Sequence, residues 1–138
     1  MKKLIILVLW ATPFISYTQS SWINIQLLTD DFPTETSWNV LSAYGDTIIQ
    51  NGVLDINTLY DTIIEVEGDI ILNVVDAFGD GLGASQWNGT DGWFLIQNSC
   101  QDTISYVAGD FGLLYTDTLT IAPCAPPIPG CTDSTALN

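Results

Sequence analysis

Residues 22 to 27 read Trp-Ile-Asn-Ile-Gln-Leu, with Trp22, Asn24 and Gln26 on one face of an extended chain and Ile23, Ile25 and Leu27 on the other. That period of two sorts apolar from polar side chains only if the segment is a strand with one buried face. Short runs rich in β-branched and aromatic residues recur at about 37–43, 46–50, 58–66, 69–76, 92–98, 102–107 and 115–122, after a first run at about 22–29. Between them stand Tyr44-Gly45-Asp46, Asn51-Gly52, Glu67-Gly68-Asp69 and Gly109-Asp110, residue types that tolerate positive φ or cap a turn locally. No helical period of comparable length competes. The expected fold is all-β: about eight strands in an antiparallel two-sheet sandwich of jelly-roll or Greek-key type. Its interior should hold Ile25, Leu27, Trp38, Ile63, Ile70, Leu72, Val74, Phe94 and Ile96, with Trp93 also in the core. The nearly unbroken apolar run Ile70–Val75 predicts a central strand covered on both faces, or one whose outer face meets a partner.

The charge is one-sided. Of 138 residues, 16 are Asp or Glu, 2 are Lys and none is His, and both lysines, Lys2 and Lys3, precede an apolar stretch at the N-terminus. Without residues 1–18 the remaining chain (138 − 18 = 120 residues) carries no base and a formal charge of −16. Nucleic-acid binding is excluded, since it depends on Lys and Arg displacing counterions from phosphates. A Ser-His-Asp or Cys-His nucleophile is excluded as well. The N-terminal text, basic then apolar then small at Ser16 and Thr18, predicts a signal peptide over 1–18. Leu4 to Ile15 contains Pro13 and falls short of the roughly 20 residues that span a bilayer, so no membrane insertion is expected. The rest divides into a module over 19–122 and a Pro-rich linker over 123–138. In an oxidising compartment Cys100 and Cys124, flanking the last two strands, are expected to pair. Cys131 is left over, its partner expected beyond Asn138 together with further domains.

If successive strands alternate in direction, the loops after strands 1, 3, 5 and 7 share one end of the sandwich. Those loops hold Asp30, Asp31, Glu35, Asp55, Asp76, Asp80, Asp91 and Asp110. Eight carboxylates with no base nearby repel one another, and a divalent cation relieves that. Asp76-Ala77-Phe78-Gly79-Asp80-Gly81-Leu82-Gly83 is the best local candidate, because its glycines let the backbone wrap an ion and its aspartates offer the hard oxygens that Ca²⁺ takes six to eight of. The expected ligands are Asp76 and Asp80, with Glu35, Asp30 and Asp91 behind them. A turn whose carboxylates accept backbone N–H groups is the alternative.

The same residues carry a resemblance. Thr34-Glu35-Thr36-Ser37-Trp38 before a strand and Asp76 to Leu82 after one resemble a recurrent module of multidomain secreted bacterial proteins, E-T-S-W … D-x-x-G-D-G-[IL] … G-x-[FYW]-x-[IL]. The match runs through Glu35, Trp38, Asp76, Gly79, Asp80, Gly81, Leu82, Gly92, Phe94 and Ile96 and covers residues 22–122. The ending Gly-Cys-Thr-Asp-Ser-Thr-Ala-Leu-Asn is similar to the start of a Cys-rich repeat found between such modules. The resemblance implies a non-catalytic accessory β-sandwich of a secreted or cell-surface bacterial protein. The expected partner is an extracellular protein or polysaccharide. Two other readings compete. Trp87, in the middle of the long 77–91 loop, suits a carbohydrate-binding module that stacks sugars on an exposed ring. Glu35, Glu65 and Glu67 with the loop aspartates offer raw material for carboxylate-based glycoside hydrolysis, which a chain without bases is poorly equipped to perform.

Overall fold

The computed structural model describes residues 20–122. It contains eight strands: β1 (Ser20–Leu28), β2 (Thr36–Ser42), β3 (Thr47–Gln50), β4 (Leu59–Glu67), β5 (Ile70–Asp76), β6 (Trp93–Asn98), β7 (Thr103–Ala108) and β8 (Leu114–Leu119), with one 3₁₀ turn, Ala84–Trp87, between β5 and β6. They form two antiparallel four-stranded sheets, ordered β4-β1-β6-β7 and β3-β2-β5-β8. The molecule is the two-sheet sandwich that the alternation predicts. Only β2–β3 and β6–β7 are joined within a sheet; the other connections cross between sheets.

The inner face follows from parity. Ile23, Ile25 and Leu27 of β1, Trp38 and Val40 of β2, Ile70, Leu72 and Val74 of β5, and Phe94 and Ile96 of β6 are all buried. Trp38 meets Phe94 edge-on across the two sheets, with ring centroids 5.3 Å apart, an arrangement the ring quadrupoles favour. Strand β5 is central in its sheet, between β2 and β8, and its apolar outer residues Ile71 and Val75 stay half-buried or exposed.

Ile63 corrects the expected core. It is 65% exposed, because β4 turns Tyr60, Thr62, Ile64 and Val66 inward and leaves Asp61, Ile63, Glu65 and Glu67 outside. Two adjacent isoleucines cannot share a face, and the acids at 61, 65 and 67 take the outer one together with Ile63. Trp93 is corrected likewise. It precedes the buried Phe94 and is only half-buried, pairing on the outer face with Leu28 and Ala108.

Cys100, in the β6–β7 turn, is disulfide-bonded. The pairing expected with Cys124, the leftover Cys131, the 1–18 leader and the 123–138 linker lie outside the described residues. Among those described, no helix is long and apolar enough to cross a membrane.

Pairing directions gather the loops as alternation requires. β1 runs antiparallel to β4 and β6, and β5 antiparallel to β2 and β8. The loops after β1, β3, β5 and β7 are bonded to one another: Asn57 N–H donates to Asp30 O at 3.1 Å, Ala77 N–H to Glu35 O at 2.9 Å, and Leu82 N–H to Gly109 O at 2.9 Å.

Candidate functional site

The β2–β5 ladder ends with Thr36 opposite Asp76. One further backbone bond, from Ala77 N–H to Glu35 O, carries the pairing into the loops. This register is what brings Glu35 to Asp76 from 76 − 35 = 41 residues away. On the other side of Glu35, the Asp30 carboxylate accepts the Phe32 N–H at 2.8 Å, a local turn that leaves the Phe32 ring at the surface.

Asp76 shares the inward parity of Ile70, Leu72 and Val74 and is 1% exposed. Its Oδ2 accepts the N–H of Gly79, of Asp80 at 2.9 Å and of Gly81 at 3.2 Å. The loop after β5 is thus wound around the carboxylate that begins it. Charge-assisted bonds of this type are about twice as strong as neutral ones. Gly81 makes the winding possible: its φ is +69°, and a Cβ there would lie 2.5 Å from Gly109 O and 2.6 Å from Phe111 N. The carboxylate of Asp80 points back over the same loop. Its Oδ2 accepts Trp87 Nε1–H at 2.8 Å and Gln86 Nε2–H at 3.1 Å.

One carboxylate oxygen each from Glu35, Asp76 and Asp80 comes within 4.8 Å of the other two. Thr36, 5% exposed and beside Asp76 on the inner face, has an Oγ1 without a hydrogen-bond partner. Mutual repulsion registers on the neighbours. The Glu35 carboxyl is held above its ordinary 4.5 by partial desolvation and then by the charges of Asp76, Asp80 and Asp30. Asp30, 4% exposed, is held above 3.8 by burial first, against the Phe32 N–H that lowers it, and then by Asp80 and Asp76.

Beside the cluster lies a cavity of 230 Å³ lined by Phe32, Glu35, Phe78, Asp80 and Trp87. Trp87 is 56% exposed. Its ring stands edge-on to Phe78 with centroids 6.3 Å apart, and its N–H is tied to Asp80. The indole is therefore held in place at the surface.

The remaining expected ligands are employed elsewhere. Asp91 is exposed and its Oδ1 caps the 3₁₀ turn by accepting Ser85 N–H at 2.6 Å. Asp30 lies near enough to be felt but outside the triad of oxygens. Asp31 bridges loops, accepting Asn57 Nδ2–H at 2.6 Å and Thr90 N–H at 3.1 Å, and Asp110 accepts Gly112 N–H at 3.0 Å. The aromatic partners of Trp87 and the unpaired Thr36 hydroxyl were not anticipated. Phe32 and Phe78 did carry a signal, since each is a large apolar ring in a loop with no alternation to bury it.

The arrangement supplies three hard anionic oxygens around one point, a neutral buried oxygen alongside, and an aromatic wall. It suits a hard cation and a ligand face next to it. Compared with protein-family models, curated proteins and solved structures, the chain matches none of them. Function is therefore to be read from these residues.

Proposed function

We propose that the chain is a non-catalytic, secreted binding or adhesive module of an extracellular or cell-surface protein, and that Ca²⁺ held by Glu35, Asp76 and Asp80 orders its acidic end. The observation that carries this reading is the meeting of three carboxylate oxygens within 4.8 Å in a chain whose only bases are Lys2 and Lys3. Asp76 and Asp80 each commit Oδ2 to N–H donors, which leaves each a second oxygen for an ion. Loop carbonyls and water complete a shell of six to eight. The unpartnered Thr36 Oγ1 supports the same reading, because a buried hydroxyl without a partner is costly and an ion, or a water held by one, satisfies it.

Binding to the folded state alone raises stability by RT ln(1 + [L]/Kd), about 2.7 kcal/mol at a hundred times Kd. The melting temperature should rise in millimolar CaCl₂ relative to NaCl of equal ionic strength and fall back with chelator. Glu35→Gln and Asp80→Asn should each remove most of the rise. If sodium serves as well as calcium, the effect is charge screening and the site is a turn.

The cavity favours a second reading of the same end, in which the face of Trp87 between Phe32 and Phe78 receives the ring of a polysaccharide. Trp87→Ala should then abolish retention on the polysaccharide while leaving the calcium shift intact. Retention unchanged by that substitution would remove Trp87 from the reading.

A further inference from the structure

The other end of the molecule carries a cavity of different chemistry. It lies where β1 begins and β6 ends, with a volume of 540 Å³, and its lining includes Trp22, Asn24, Ile63, Gln97, Asn98 and Gln101. Trp22, Asn24, Ile63 and Gln97 fall on the outer face of the β4-β1-β6-β7 sheet, while Asn98 ends β6 and Gln101 lies in the turn after it. In register, Asn24 sits between Ile63 on β4 and Gln97 on β6, with Trp22 one step along β1. Trp22 is 53% exposed, so its indole is a surface plate and not a core residue. No lining side chain is charged, and the outward acid in register with Trp22 is Glu65.

Three properties specify an occupant. Asn24 Oδ1 is buried with no hydrogen-bond partner. Rotation of this half-buried amide about its last torsion exchanges oxygen for NH₂, so it can turn either an acceptor or a pair of donors toward the cavity. Gln97 donates Nε2–H to Gln101 O at 3.3 Å and keeps its side-chain oxygen. The turn that carries this wall is braced, since Asn98 Oδ1 accepts the N–H of Cys100 and of Asp102, both at 2.9 Å, and Cys100 is disulfide-bonded. Amides that both donate and accept match hydroxyl groups, which do the same. An indole plate matches the apolar C–H face of a pyranose ring. The surrounding negative charge disfavours acidic polymers, and a volume within about 300–1,000 Å³ is that of a site for an organic ligand rather than an ion.

We propose that this outer face binds a neutral oligosaccharide, with Trp22 as the stacking plate and the amides of Asn24, Gln97 and Gln101 as its hydrogen-bonding groups. The site is separate from the carboxylate cluster and needs no calcium.

The test is calorimetric titration of the full chain, in chelator, with cellohexaose and with maltohexaose, and with a hexagalacturonate as the anionic comparator. At least one neutral hexaose should bind and the galacturonate should not. Trp22→Ala should weaken binding about tenfold or more, as loss of a central aromatic contact does. Trp22→Tyr, which keeps a ring, should retain most of it, and Tyr44→Ala, at an exposed ring that lines neither cavity, should leave it unchanged. Melting curves of Trp22→Ala establish that the variant is folded. The proposal is overturned if neither neutral hexaose binds the unsubstituted protein, if binding survives Trp22→Ala, or if Trp87→Ala removes it. In the last case the sugar belongs to the aromatic mouth at the opposite end. Failure here leaves the calcium reading untouched, since that reading is measured by melting temperature and by Glu35→Gln.

Discussion

At the scale of the residue, Asp76 has two jobs that a single substitution confounds. Its Oδ2 holds three backbone N–H groups of the loop that follows it, and it supplies an oxygen to the triad. Asp76→Ala strands those donors in a buried place, so we expect a loss of at least about 3 kcal/mol with or without calcium, measured by urea unfolding. Glu35, whose side chain has no such bonds among the described residues, is the cleaner probe of the ion. Gly81 separates the other way. Gly81→Ala meets Gly109 O and Phe111 N in backbone that cannot give. A fall of about 1–3 kcal/mol is expected, independent of calcium. A Gly81→Ala protein as stable as the parent would mean the loop has another conformation available. The D-x-x-G-D-G pattern thus has a steric reason for its last glycine as well as an electrostatic one for its aspartates.

At the scale of the element, the strands and their directions were legible because β1, β5 and β6 alternate and because Gly and Asp mark their ends. The face of β4 is legible too: Asp61, Glu65 and Glu67 share the parity of Ile63 and pull it outward. What no spacing along the chain discloses is the β2–β5 register. Glu35 and Asp76 are neighbours because Thr36 pairs with Asp76 and Ala77 N–H reaches Glu35 O; another register would place different loop residues beside Asp76. The same holds for the Trp22 cavity, which needs β6 beside β1. The 77–92 loop is an element in its own right, pinned at its 3₁₀ turn by Asp91 from six residues downstream. Asp91→Ala frees the Ser85 N–H and should cost about 1 kcal/mol. Its calcium-dependent rise in melting temperature should persist, since Asp91 stands outside the triad; disappearance of the rise would make Asp91 a ligand after all.

At the scale of the whole molecule, charge sets the response to pH. Asp30 and Glu35 have carboxyl groups whose pKa is raised in the folded state, so the native protein holds more protons than the unfolded chain just above their ordinary values of 3.8 and 4.5. Their contribution is fully present below those values and is lost as pH rises through the folded ones. In chelator, stability should therefore decline as pH climbs from about 4 toward neutrality. Calcium favours the ionised forms and should flatten or reverse that slope. Parallel melting series with and without the ion, across that range, check both signs; equal slopes would count against an ion at the triad.

The strand that opens the described chain lies in the middle of its sheet. β1 has β4 on one side and β6 on the other, with Ser20 paired to Glu67 and Ile23 to Asn98, separations of 47 and 75 residues (67 − 20 and 98 − 23). A strand made first must wait for partners made much later, and neither edge of it is satisfied by anything nearby in the chain. Contacts of that span place the domain among slow folders, in the millisecond-to-second class. A chain emerging N-terminus first would remain open until residue 98 has appeared, with the Trp22 plate and the buried face of β1 both uncovered in the interval. The molecule's architecture therefore doubles as a timer: the centre of this sheet cannot close until six of the eight strands are present.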